Sequence, residues 1–201
     1  MSIVLLLEGK TERACVPVLK AFLDSVAEQE GKPRTRLASK DYSGSEVHDT
    51  EQVQRDVTRH LGTADVAGVV LLTDVCPRFR TAEGAKAHYQ GIRPADRFRA
   101  HCALHDFEAW LLPYCDRIHQ RLGKRPPKHA RWPQPERVDL DKPPSKQLAD
   151  LFQAAGRGYR KTVDAPEILK GQDLAVAAEA CPELRAFLNS LLEFAGLQKR
   201  L

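Results

Sequence analysis

Ile3-Val4-Leu5-Leu6-Leu7-Glu8-Gly9-Lys10-Thr11-Glu12 is a short apolar run that stops on an acid, and further along Val69-Val70-Leu71-Leu72-Thr73-Asp74 does the same. Bounded runs of β-branched residues and leucine, with no polar alternation, read as strands covered on both faces, which is the habit of parallel sheets. In such a sheet the carboxyl ends of the strands share one edge, where α/β folds build their sites. Glu8 and Asp74 are therefore expected to converge from distant parts of the chain. Carboxylates held within a few ångströms repel, and a hard divalent cation is the usual means of keeping them together.

Working outward from Glu8, Thr11 opens a segment whose apolar positions, Cys15, Val18, Leu19, Phe22, Leu23 and Val26, have helical spacing. Gly9 suits the intervening turn, where a residue without Cβ can take a positive φ and lets backbone amides approach an anion. Glu8 and Glu12 each have a plainer explanation too, as acids favoured near a helix start. A shorter strand is expected over 35–39, a polar helix over 49–61 and the clearest strand over 66–73. Residues 78–94 read as a long polar connection carrying Arg78, Arg80, Lys86, His88 and Arg93. A further strand is predicted over 98–104. Asp106 is expected to cap the helix after it, with Phe107, Leu111, Leu112 and Ile118 apolar and a bend at Pro113.

Pro126, Pro127, Pro133, Pro135, Pro143 and Pro144 crowd into residues 123–144 with interspersed Lys and Arg, which predicts an extended connector. Helices follow over 145–155, 172–180 and 182–195, with a turn at Gly156-Arg157-Gly158, Pro182 in a first helical turn and Gly196 at the stop. At 201 residues, 42% hydrophobic and 29% charged, the chain can bury a real core; its net charge of +4 permits a phosphate-rich partner without demanding one. The apolar runs fall far short of the ~20 residues of a membrane helix, and Met1-Ser2 leads into a strand without a basic leader. No membrane association is expected. Five cysteines without a Cys-x-x-Cys pair suit reduced thiols, and the expected compartment is the cytoplasm.

Some candidates compete with plainer roles. His101-Cys102-x-x-His105 with Cys115 invites zinc, but on a strand Cys102 points away from His101 and His105, which spoils a tetrahedral set. His105 alone could serve as ligand or proton shuttle, or simply be hydrogen-bonded. Glu108 sits among apolar groups, where a buried acid needs a partner or a metal. Lys146, Tyr159, Arg160 and Lys161 form a basic group whose tyrosine could stack on a base or donate to a phosphate, against the alternative of a solvated helix face. Trp110, Leu111 and Leu112 read as core, and Trp132 as a contact for a partner protein.

Glu8-Gly9-Lys10-Thr11-Glu12 after a first strand, followed by Asp74 closing a later one, resembles the Toprim domain of topoisomerases, primases and OLD-type nucleases. That pattern has an Asp-x-Asp where this chain reads Asp74-Val75-Cys76, so a thiol, a poor ligand for Mg²⁺, replaces the second aspartate. The chain is also similar to a family of small Toprim-like proteins of uncharacterised function, often encoded in bacterial defence islands beside an ATPase. The shared blocks are Glu8-Gly9 with Thr11-Glu12, Asp74, His105 to Leu112, Pro144-Ser145-Lys146 with Leu148, Gly158-Tyr159 with Lys161, and Cys181-Pro182.

The resemblance implies an α/β, Toprim-like, mostly parallel sheet flanked by helices: residues 1–122, then the connector 123–144, then a helical extension 145–201 packed on the first domain. It further implies a Mg²⁺- or Mn²⁺-dependent nuclease acting on DNA or RNA, with anti-phage defence as a setting. Glu8, Asp74 and Glu108 would hold metal and, with His105, carry catalysis; Lys10, Lys146, Tyr159 and Lys161 would bind phosphate. Two other classes remain open. One is a module that has lost catalysis and serves a partner ATPase; the other is a plain nucleic-acid-binding protein with metal-independent, salt-sensitive binding. Homo-oligomerisation is also left open.

Overall fold

Four strands, β1 (Ser2–Leu7), β2 (Arg36–Asp41), β3 (Val66–Asp74) and β4 (Phe98–Ala103), form one sheet in the order β2-β1-β3-β4, with every pairing parallel. The structure is a computed structural model and describes residues 1–42, 44–123, 135–137 and 142–201. From β1 the chain passes through α1 (Lys10–Gln29) outward to β2, returns through α2 (Thr50–Leu61) to β3, and then crosses by α3 (Ala82–His88) to β4 on the other side. The strand order reverses between β1 and β3, and the crevice at their carboxyl ends is the topological switch point where such sheets bind ligands. Glu8 and Asp74 stand at that point.

Burial on both faces explains the unbroken apolar runs. Ile3, Leu5 and Leu7 of β1, with Val70 and Leu72 of β3, point into a core shared with Cys15, Leu19 and Leu23 of α1. Val4 and Leu6, with Val69 and Leu71, point the other way, onto Val53 and Val57 of α2 and onto Tyr89 and Ile92. Gly68 lies in β3 beside Ala67. A Cβ there would come within 2.5 Å of the Phe194 ring, so the glycine lets that aromatic lie against the strand.

The remaining helices, α4 (Cys115–Arg121), α5 (Pro144–Ala154), α6 (Lys161–Leu169), α7 (Leu174–Ala180) and α8 (Pro182–Phe194), join the first of these cores. Leu148, Phe152, Ile168, Phe187 and Leu191 lie in the same apolar cluster as Leu5 and Leu23, so one core runs through both parts of the chain. His101 of β4 meets Ser190 of α8 at 2.9 Å, while Cys102 points to the carbonyl of Ala82 at the start of α3. The two side chains diverge as strand alternation requires, which removes the zinc set. Within 135–137, buried Glu136 accepts the Trp110 indole N–H at 2.8 Å and the backbone N–H of Glu183 at 3.0 Å, clamping this short stretch to the exposed amides at the start of α8.

Several local expectations are corrected. The connection 78–94 contains α3, whose N-cap Thr81 accepts a hydrogen bond from the Gly84 amide at 3.0 Å. Instead of one bent helix after Asp106 there is a 3₁₀ turn (Phe107–Trp110), an interruption containing Pro113, and then α4. Asp106 does not cap its own turn: its Oδ2 accepts from the backbone N–H of Ser145 in the first turn of α5, at 3.2 Å. Helix α6, which contains Pro166, was not expected. Trp132 lies outside the described residues.

Candidate functional site

The site is assembled by strand ends and by two helix starts. Glu8 leaves β1 with its amide still bonded to the Leu72 carbonyl, 3.1 Å away, so its position is fixed by the ladder. Its Oε2 accepts the Thr73 hydroxyl and the Asp74 backbone N–H, the latter at 2.8 Å. The two strand ends are thereby tied together through the glutamate carboxylate. Asp74 follows with Oδ1 buried and lacking a hydrogen-bond partner.

Glu12 enters from the first turn of α1 and is 5% exposed. Gly9, its N-cap, is extended at φ −141° and ψ 177°, so the expected need for a positive φ does not apply. A Cβ on Gly9 would sit 2.8 Å from Glu12 Oε2; the glycine makes room for that carboxylate. From the far side of the crevice, the segment after β4 brings Asp106 and Glu108, both buried. Asp106 Oδ1 has no hydrogen-bond partner. Lys161, the first residue of α6, faces this group and pairs with Glu108 Oε1 at 3.2 Å.

Electrostatics mark these acids as mutually uncomfortable. Burial, with Glu108 and Glu8 nearby and only partly offset by its own backbone N–H and Lys161, pushes the Glu12 carboxyl up to about 7. Burial and the surrounding Glu12, Glu8, Asp106 and Glu108 hold Asp74 well above the usual carboxylate range. Glu108 is raised by burial and Asp106 against the pull of Lys161. Burial alone would lower Lys161, but Glu108, with Asp106 and Asp74 behind it, reverses the effect and keeps the ammonium charged. Strong mutual perturbation in a crevice is a feature of functional sites.

Cys76, two residues after Asp74, is pushed up by burial and by Asp106 and Asp74, which keeps it a thiol. Hard oxygen donors around Asp74 Oδ1 and Asp106 Oδ1 suit Mg²⁺ or Mn²⁺ in chemistry, with Glu8, Glu12, Asp74, Asp106 and Glu108 as the available carboxylates. Among the described residues, no three His, Cys, Asp or Glu side chains stand as a ready-made metal cluster.

The structure thus brings Glu8, Asp74, Glu108 and Lys161 together. Tyr159 packs edge-on against Phe152 at 5.1 Å; its buried hydroxyl has no hydrogen-bond partner, and burial and Glu108 push its pKa up. His105 is buried at φ 73°, with Nε2 unpartnered and its carbonyl accepting the Cys76 amide at 3.1 Å, so it ties the two loops after β3 and β4. Lys10 and Lys146 are exposed in the first turns of α1 and α5. Asp106 was not among the expected site residues, and Glu12 was weighed beside Glu8 without being placed in the site. The signal for Glu12 was present: it lies three residues before Cys15 and seven before Leu19, so the apolar stripe of α1 runs straight into an acid.

Fold and site define an α/β protein with an acidic crevice at the switch point of a parallel sheet. The chain belongs to the family described as Domain of unknown function (DUF4276), which matches residues 7–192. The fold is similar to the C-terminal region of the Burkholderia pseudomallei OLD protein, at 14% identity, a TM-score of 0.53 and 96% coverage of each chain. It is similar also to the C-terminal region of the Xanthomonas campestris pv. campestris OLD protein, at 18% identity and a TM-score of 0.49, over 96% of this chain and 93% of that one. No curated protein matches the sequence. No helix among the described residues is long and apolar enough to cross a membrane.

Proposed function

We propose that this chain is a Mg²⁺- or Mn²⁺-dependent phosphodiesterase of Toprim type that cleaves nucleic acid. The observation that carries the reading is the convergence of Glu8, Glu12, Asp74, Asp106 and Glu108 on one crevice, where burial and neighbouring acids push Glu12, Asp74 and Glu108 upward and Lys161 pairs with Glu108. A bound divalent cation would supply charge neutralisation and polarise the scissile phosphate. Asp74 and Glu8 would hold it from one wall, and Asp106 with Glu108 would make up from the other wall for the aspartate that Cys76 replaces. Lys161, released from Glu108 when metal takes that carboxylate, would contact a phosphate oxygen of the substrate. The fold shared with the C-terminal region of the Burkholderia pseudomallei OLD protein supports the reading, and a place in anti-phage defence is proposed with it.

A second reading has its own support: Cys76, a thiol where the Toprim pattern has its second aspartate, favours a module that keeps the fold but serves as a regulatory subunit of a partner ATPase. One experiment separates the two. Mg²⁺ and Mn²⁺ are titrated calorimetrically into the wild type, Glu8→Gln and Asp74→Asn, and the same samples are assayed on DNA and RNA. Metal binding and cleavage in the wild type, both lost in the two variants, are expected. A wild type that binds no metal at millimolar concentration and cuts neither polymer overturns the enzymatic reading.

A further inference from the structure

His48 is absent from every motif discussed above, yet its ring reaches the crevice from the 3₁₀ turn (Gly44–His48) that precedes α2. The side chain is nearly buried and its ring is held on two sides, with the backbone of the residue held on a third. Phe79 packs against it edge to face, with ring centroids 5.5 Å apart. The His48 carbonyl accepts from His88 Nε2 at 2.9 Å. Its Nδ1 lies 3.2 Å from the Tyr89 hydroxyl. Nε2 then points at Glu8, 4.0 Å from Oε1.

The hydrogen-bond inventory assigns the tautomer. A phenol has one proton to donate, and Tyr89 donates it to the Val47 carbonyl at 3.1 Å. Tyr89 therefore accepts from His48, and Nδ1 carries the ring proton. In the neutral imidazole Nε2 is left as a bare lone pair. Glu8 shows the same division of labour: Oε2 is committed to Thr73 and the Asp74 amide, while Oε1 is the oxygen turned to His48. Two acceptors thus face each other at a separation too long for a direct hydrogen bond. A water ~2.8 Å from each, subtending an angle of about 90°, spans that separation and donates one O–H to each.

We propose that His48 is a catalytic residue which, together with Glu8 Oε1, holds and orients the attacking water; this rests on the phosphodiesterase reading above. In the step, the water oxygen bonds to phosphorus and the proton it gives up passes to Nε2. The P–O bond to the leaving group breaks, and the departing oxygen takes a proton from solvent. Tyr89 acts as a positioning residue, since its hydroxyl fixes which ring nitrogen is bare.

Two measurements test this on the full chain. Nitrogen NMR of the histidine rings in the metal-free wild type should show His48 protonated on Nδ1 with Nε2 bare, and Tyr89→Phe should lose that preference; the reverse tautomer in the wild type overturns the proposal. Single-turnover cleavage of DNA and RNA with Mg²⁺ or Mn²⁺ is then compared in the wild type, His48→Ala and His48→Gln. The chemical rate should fall about 10²- to 10⁴-fold in both variants, with substrate affinity within about twofold, and added imidazole should restore part of the rate in His48→Ala. His48→Gln supplies the answer if the alanine variant fails to fold. Cleavage by the wild type with an unchanged rate in the variants overturns the role of His48 alone. A wild type that cleaves neither polymer overturns the phosphodiesterase reading and this proposal with it.

Discussion

Buried acids occur in two settings in this molecule. Asp56 is 1% exposed and fully attended: Lys40, Tyr42, Gln52 and Arg59 all donate to it, and these donors overcome the burial that would raise its pKa and hold it at about 2. Asp164, with no exposure, is fixed likewise by Arg121 at 3.1 Å, Arg157 at 3.2 Å and the Arg160 amide at 2.8 Å. At the sheet edge, Glu12 and Glu108 are buried and Asp74 keeps its Oδ1 shut off from water, yet these acids share one lysine, and all three are pushed upward. An acid with matched donors supports the fold, whereas a group of acids without them is held in place by the rest of the structure and is free to act on something else.

The sharpest way to break this comparison is to neutralise one acid of each kind in metal-free protein and measure thermal unfolding. Asp164→Ala leaves two guanidinium groups facing a buried gap and should cost about 3–5 kcal/mol, lowering Tm by about 10 °C in a chain of this size. Asp56→Ala should cost less, about 2–3 kcal/mol, because Arg59 is largely exposed and can turn to water, whereas Arg121 and Arg157 are more enclosed. Glu12→Gln should do the opposite and stabilise the metal-free protein by about 1–2 kcal/mol, since it removes a raised carboxyl from a crowded acid group. If all three variants destabilise alike, the two settings are not distinct.

The pH dependence sharpens the same point. Glu12 has its folded pKa raised from 4.5 to about 7, so between those values the folded state keeps a proton that the unfolded state has released. The contribution of Glu12 to stability is therefore fully present below pH about 4.5 and is lost as pH rises towards about 7, with Asp74 acting in the same direction. Relative to Glu12→Gln, metal-free wild type should lose about 1–3 kcal/mol across this window, seen as a falling difference in Tm between the two proteins; the comparison cancels His101, whose pKa burial lowers to about 3 and which acts in the opposite direction. Added Mg²⁺ or Mn²⁺ should oppose that loss at pH 8. The smallest effect is expected at Gly9. Its extended backbone accepts alanine, so Gly9→Ala should cost under about 1 kcal/mol, while the displaced Glu12 carboxylate weakens metal affinity in titration calorimetry.

The strands and both strand-end acids were legible in the chain. Ile3 to Leu7 and Val69 to Leu72 are too apolar for a half-exposed sheet, and only a parallel layer covered on both faces accommodates them. Helix α3 was hidden because its short, alanine-rich turn lies within a long polar stretch, and α6 because Pro166 breaks the pattern of a helix interior. Asp106 looked like the cap of its own helix, since a local sequence window does not reveal that Ser145 lies within reach of it.

Periodicity and strand-end chemistry, which depend on near neighbours along the chain, determined from sequence alone that Glu8 and Asp74 would meet at one edge of a sheet. Tertiary structure decided the rest: that Glu12 turns inward beside Gly9, that Asp106 and Glu108 close the crevice from β4, that Lys161 arrives on α6, and that His48 reaches Glu8 with its tautomer set by Tyr89. Each of these depends on a distance between residues far apart in the chain, and such distances are fixed by how helices pack on the sheet.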